Sequence, residues 1–151
     1  MYTLLQKLEE EKIKSLNDLL HSVNFQNKDI RPGKNAPQIM SVYNHSKWYN
    51  WQREQKNNFI EALSNYSNTA VVGWFLSLPA DGFLDTMDYW QNMVSAGTIT
   101  AFSLTDNNPI IIEGSTLTIE RGAGIQFHLK QLHEIRPATF ERNWACLMQL
   151  I

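Results

Sequence analysis

His133, Glu134 and Arg142 are the residues of this chain best suited to chemistry. A neutral imidazole is the commonest metal ligand, and a planar guanidinium is the best partner for a carboxylate. All three lie in GIQFHLKQLHEIRPATFERNWACLMQL, residues 124–150, where Arg142 follows His133 by nine positions. If His133 ends one strand and Arg142 begins the next, both can face one cavity. An arginine inside a barrel near a histidine suggests a metal-bound carboxylic acid. The plainer alternative leaves His133 on a backbone group at a capped strand end. Arg142 then pairs with Glu141, Asp88 or Glu134. His128 supplies a further imidazole on the preceding strand, and its spacing does not fix which face it takes.

The chain that must position these groups has 151 residues, enough for one domain with a real core. Apolar residues make up 43% and charged residues 19%, a globular balance. Five Trp, five Tyr and seven Phe predict a core filled with large rings. The net charge of −2, evenly spread, leaves no footprint for nucleic acid or an anionic membrane. Cys146 is the only cysteine, which excludes an internal disulfide and a CxxC metal motif. Within WACLMQL it reads as a buried, inert thiol. The opening MYTLLQKLEEEKIK has no signal-peptide pattern, and no apolar run approaches the roughly 18 residues of a membrane span. The expectation is a soluble, intracellular protein.

Helical spacing of Leu5, Leu8, Leu16, Leu19, Leu20 and Val23 predicts a helix over 2–23, with Ser15 as a possible restart. Pro32-Gly33 and Pro37 mark a loop. The stretch 38–55 resists assignment: Tyr43, Trp48, Tyr49 and Trp51 crowd around His45, and packing explains them better than base stacking, which needs a basic groove. Phe59, Ile60, Leu63 and Tyr66 predict a second helix over 52–66. Strand signals follow at 70–78 and 97–104, then a hairpin of 110–112 with 116–120, then IQFHL. NWACLMQL, apolar on both faces, predicts a central or covered strand. The fold class is therefore α+β in a single domain over 1–151: a helical flanking part over 1–68 and a β core over 69–151. Short strands at this spacing imply an antiparallel barrel or a double-stranded jelly roll.

GAGIQFHLKQLHEIRPATFERNWACLMQL resembles the closing strands of the iron(II)/2-oxoglutarate-dependent dioxygenases, particularly their prolyl-hydroxylase-like branch. The matching residues are Gly122, Gly124, Phe127, His133, Ile135, Pro137 and Arg142. The likeness extends over about 70–151, with FLSLPADGFLDTMDYW in the place of the segment carrying the first ligands. It implies helices packed on a double-stranded β-helix, a jelly-roll or cupin-like barrel. It also implies His133 and Asp88 as iron ligands and Arg142 as the clamp for 2-oxoglutarate, helped by hydrogen bonds from Thr98 or Thr100.

The family's iron site is two histidines and a carboxylate, opened by His-x-Asp. Here Thr86 stands in the first histidine's position, and no histidine lies between His45 and His128. Asp88 and His133 alone make an incomplete metal site unless His45 or His128 replaces the lost ligand. The reading that follows is a degenerate dioxygenase-like domain, without cofactor, that acts as a binding or structural module. It would work with a protein partner or as a homo-oligomer, in the cytoplasm or, by analogy with tailed phages, in a virion. Two alternatives stand beside it: an active hydroxylase using Fe(II) and 2-oxoglutarate at an unusual site, and a cupin-like binder of small acids or sugars.

Overall fold

The computed structural model describes residues 2–22, 38–44, 53–68, 70, 72–78, 80, 84–85, 97–128, 132–135 and 139–149. For 38–44, 53–56, 72, 84–85 and 132–135 the description is of the backbone. The chain runs β1 (Thr3–Leu5), α1 (Glu10–Ser22), β2 (Gln38–Asn44), α2 (Arg53–Ala62), α3 (Ser64–Ser67), β3 (Val72–Leu78) and β4 (Leu84–Asp85). It continues through β5 (Thr98–Ser103), β6 (Asn108–Ile112), β7 (Ser115–Ile119), β8 (Gly124–His128), β9 (Leu132–Ile135) and β10 (Arg142–Gln149).

Two antiparallel sheets result. One has the order β1-β8-β5-β10-β3-β2 and the other β4-β9-β6-β7. Period-two alternation decides which side chains lie between them. Trp74, Leu76 and Leu78 of β3, Ile99 and Ala101 of β5, Ile110 and Ile112 of β6, Ile125 and Phe127 of β8, and Trp144, Cys146 and Met148 of β10 form the interior cluster. The intervening residues Phe75, Phe102, Ala145 and Leu147 face the other way and meet Leu16, Leu19 and Leu20 of α1 and Phe59 and Leu63 of α2. Phe59 and Phe75 close that outer contact edge to face, with ring centroids 5.2 Å apart. β10 is thus covered on both faces and lies between β3 and β5, as its apolar sequence requires.

The sequence-based elements shift in three places. The helix expected over 2–23 begins at Glu10 and runs unbroken past Ser15; Thr3–Leu5 instead pairs with Gly124–Gln126 as an edge strand. Leu5 and Leu8 still pack against the helix-facing cluster, so their apolar spacing reflects burial in a strand and its linker. The helix expected over 52–66 divides at Leu63, and β2 is a strand in the stretch that resisted assignment.

Two turns hold the frame. Glu113 (φ 48°) and Gly114 (φ 78°) form the two-residue loop closed by the Ile112–Ser115 pair, the left-handed geometry that suits a hairpin's twist. Gly122 (φ 83°) receives the Leu8 N–H on its carbonyl at 3.0 Å and donates its own to Ser103 O at 2.7 Å. A Cβ there would run into the tip of the Ile13 side chain, which would have to shift, and the positive φ itself favours glycine. Exposed ion pairs, Lys7–Glu120 at 2.6 Å and Arg121–Glu10 at 2.8 Å, rim the same junction, and the Lys7 ammonium holds the Glu120 carboxyl below its ordinary range.

Candidate functional site: a buried guanidinium at the start of the central strand

Arg142 opens β10 opposite Leu78, the last residue of β3. It has the parity of Trp144, Cys146 and Met148, so its side chain belongs to the interior face. It is fully buried, and among the described residues it is the one buried side chain that carries a charge. Removing a guanidinium from water costs several kcal/mol unless hydrogen bonds and counter-charge replace the lost hydration. One replacement is the Phe140 carbonyl, which accepts from Nε at 3.3 Å.

A polar network lies against this end of the interior. Asn108, at the start of β6, shares the inward parity of Ile110 and Ile112 and is fully buried. Its Nδ2 donates to Ser103 Oγ at 3.0 Å and to Thr105 Oγ1 at 3.3 Å. Ser103 Oγ donates to Thr105 O at 2.7 Å, and the Asn143 N–H donates to Thr105 Oγ1 at 3.2 Å. Ser103 is also the register partner of Trp144. The Nε1 of Trp144 and the Oδ1 of Asn108 are both buried and have no hydrogen-bond partner among the described residues. Neither residue stood out as a site residue in the sequence. A signal exists for Asn108: it is a polar residue in phase with two isoleucines of its own strand.

The remaining sequence candidates divide. Thr98 and Thr100 are not brought to Arg142. In β5 they alternate with the interior residues Ile99 and Ala101, so they lie on the helix-facing side. Thr100 is opposite Leu147 there, and its Oγ1 accepts from Gln126 Nε2 at 3.0 Å. His128 pairs with Thr98 and alternates with the interior Phe127, so it too belongs to the outer side. His133 lies in β9, in the sheet opposite Arg142. It is the extra residue where the register passes from Ile111–Glu134 to Ile112–Leu132. β9 pairs with β4, the strand that leads toward Thr86 and Asp88. Thr86, Asp88 and His45 lie outside the described residues. Cys146 is buried in the interior cluster, where loss of hydration pushes its thiol pKa up, an inert thiol rather than a nucleophile.

Neither family models nor curated proteins match the chain. Solved structures do. An oxidoreductase of the 2OG-Fe(II) oxygenase family from Burkholderia pseudomallei superposes with a TM-score of 0.66 at 10% identity, covering 97% of this chain and 82% of that one. A prolyl-4-hydroxylase from Pseudomonas putida gives 0.68 at 13% identity over 99% and 92%. The Clostridium difficile EutQ protein gives 0.51 at 9% identity over 87% and 83%. The chain has the double-stranded β-helix fold of the 2OG-Fe(II) oxygenases. At these identities the likeness is one of fold.

For iron(II) the resemblance implies Asp88 and His133 as ligands, and neither side chain is among those described. A facial set needs two neutral nitrogens and a carboxylate held on one side of the ion. Of the four histidines, His21 ends α1, where its Nδ1 lies 2.6 Å from Asn17 O, and His128 belongs to the outer face. Among the described residues no three His, Cys, Asp or Glu side chains group to hold a metal ion. No described helix is long and apolar enough to cross a membrane.

Proposed function

We propose that this β-helix domain binds a small carboxylic acid in its interior through Arg142, and that it is not an iron-dependent oxygenase. The observation that carries the reading is the burial of the Arg142 guanidinium on the interior face of the central strand. A planar, permanently charged fork in a low-dielectric site binds a carboxylate through two parallel N–H···O bonds, stronger than the same pair in water. The departure from oxygenase chemistry is supported by Thr86 in the first ligand's place and by the outward position of His128.

Thermal unfolding with a panel of mono- and dicarboxylates and sugars tests the binding. Acids should raise the midpoint of the wild-type protein by mass action. Sugars should not. Arg142→Met, similar in volume and uncharged, should stay folded and lose the response. A panel in which no acid acts would reject the reading. Anaerobic addition of iron(II) and 2-oxoglutarate, followed by oxygen, tests the second half: neither a visible charge-transfer band nor succinate should form, and both together would reject it.

Leu4 supports a second role in assembly. It is 61% exposed on β1, an edge strand of the larger sheet. Exposed strand edges with apolar side chains are templates for pairing with another chain. Light scattering should find an oligomer that Leu4→Lys reduces to a monomer; a strictly monomeric wild type with no partner would remove this role.

A further inference from the structure

We infer that the partner in the assembly role is a second copy of this chain, joined by antiparallel pairing of the two β1 strands about a two-fold axis at Leu4. The inference rests on the assembly reading above and supplies its partner and register.

Leu4 is exposed on the side of its strand that should be covered. Its register partner is Ile125, a member of the interior cluster, whereas Thr3 is opposite Gln126 and Leu5 packs toward the helices. Leu4 therefore has inward parity, and Tyr2, two residues before it, packs against the interior cluster. Yet Leu4 is 61% exposed. The larger sheet has six strands and the smaller four, and at β1 the inner face of the larger one runs past its cover.

The other edges among the described strands carry safeguards against pairing with another chain. β2 has a register shift between Ser41 and Tyr43, β4 includes Asp85, and β7 presents exposed Ser115, Thr116 and Thr118. Tyr2–Gln6 contains neither a charge nor a proline. Its one safeguard is shortness, three paired residues, which makes the association reversible and concentration-dependent.

Whatever covers this edge must bring a backbone edge and, on the inner side, an apolar side chain. A second β1 brings both. Only with the two-fold axis at Leu4 do all three residues pair, Thr3 with Leu5 of the other copy at each end. The two Leu4 side chains then stand directly opposite each other on the same face, the cross-strand contact that stabilises an antiparallel pair. The surrounding charges favour a copy over a strongly acidic or basic partner. Lys7 and Arg121 are balanced by Glu120 and Glu10, so the same patch meets itself without a repulsion of one sign.

Single cysteines test the register. Opposed residues of an antiparallel pair have Cβ atoms about 4.5–5.5 Å apart, close to what a disulfide spans, and diagonal ones about 7–8 Å. Native Cys146 is buried and stays out of the reaction. Light scattering of the full chain should show a species of twice 17.5 kDa that grows with concentration. Under mild oxidation at a concentration where the wild type is dimeric, Leu4→Cys should form a disulfide-linked dimer at least about tenfold faster than Thr3→Cys, which is equally accessible but diagonal to its copy. A dimer in which Leu4→Cys links no faster than Thr3→Cys overturns the inference and leaves the assembly role standing. An assembly larger than two copies also overturns it, because the two-fold pairing uses up the edge. A strictly monomeric wild type that binds a different protein through β1 overturns the choice of partner alone. One that binds nothing overturns both.

Discussion

Cys146 stands between Trp74 and Ala101 across the sheet, and burial raises its pKa far above the ordinary thiol value. A raised acid pKa contributes stability that is complete below the unfolded value and is lost as pH climbs through the folded one. The unfolded thiol ionises near pH ~8.5, so stability should fall above that point by about 1.4 kcal/mol per pH unit from this group. Urea titrations across the alkaline range should show that slope in the wild type and a shallower one in Cys146→Ala. A second contrast concerns two glycines with the same backbone sign. Gly114→Ala has open space and should cost about 1 kcal/mol. Gly122→Ala adds the collision with Ile13 Cδ1 and should cost about 1–3 kcal/mol more, read from denaturation midpoints. At this scale Arg142 was legible, because a charged residue opening an apolar strand limits its own placement. Thr98 and Thr100 were not. Both faces of TITAFS are buried, so the alternation that normally separates inside from outside gives no contrast there.

Helices α1 and α2 illustrate what periodicity can and cannot reveal. The buried stripe of α1, Ile13, Leu16, Leu19 and Leu20, follows the 3.6-residue period and was readable. Its start was not. Leu5 and Leu8 extend the apolar spacing into a segment whose backbone is claimed by β8 and by the Gly122 carbonyl. Pairing with a distant strand outweighs local helical preference, and no window of neighbouring residues contains that information. β2 was missed for a similar reason, since its partner β3 lies some thirty residues away. The helical layer is nevertheless integral to the fold. Leu16 and Phe59 are both fully buried in the contact between helices and sheet. Leu16→Ala should cost about 2–5 kcal/mol and Phe59→Ala about 3–5 kcal/mol, measured by chemical denaturation. Both should leave acid binding unchanged in the fraction that remains folded, since neither lies on the interior face.

Across the molecule, the antiparallel layering with helices on one side was legible from the run of short strands after the helical segments, and the structural neighbours have the same architecture. Which side chains share the interior face was less so. Arg142, Trp144 and Asn108 come from strands in opposite sheets, joined only through pairings that no sequence spacing encodes. β10 has a consequence of its own during synthesis. Its seven-residue ladder with β3 and six-residue ladder with β5 form the middle of the larger sheet. Until residues 142–149 emerge from the ribosome, those two strands present open, apolar edges with nothing between them. A nascent chain halted before Arg142 should accumulate as aggregate in a solubility assay, whereas one carried through Gln149 can close the gap.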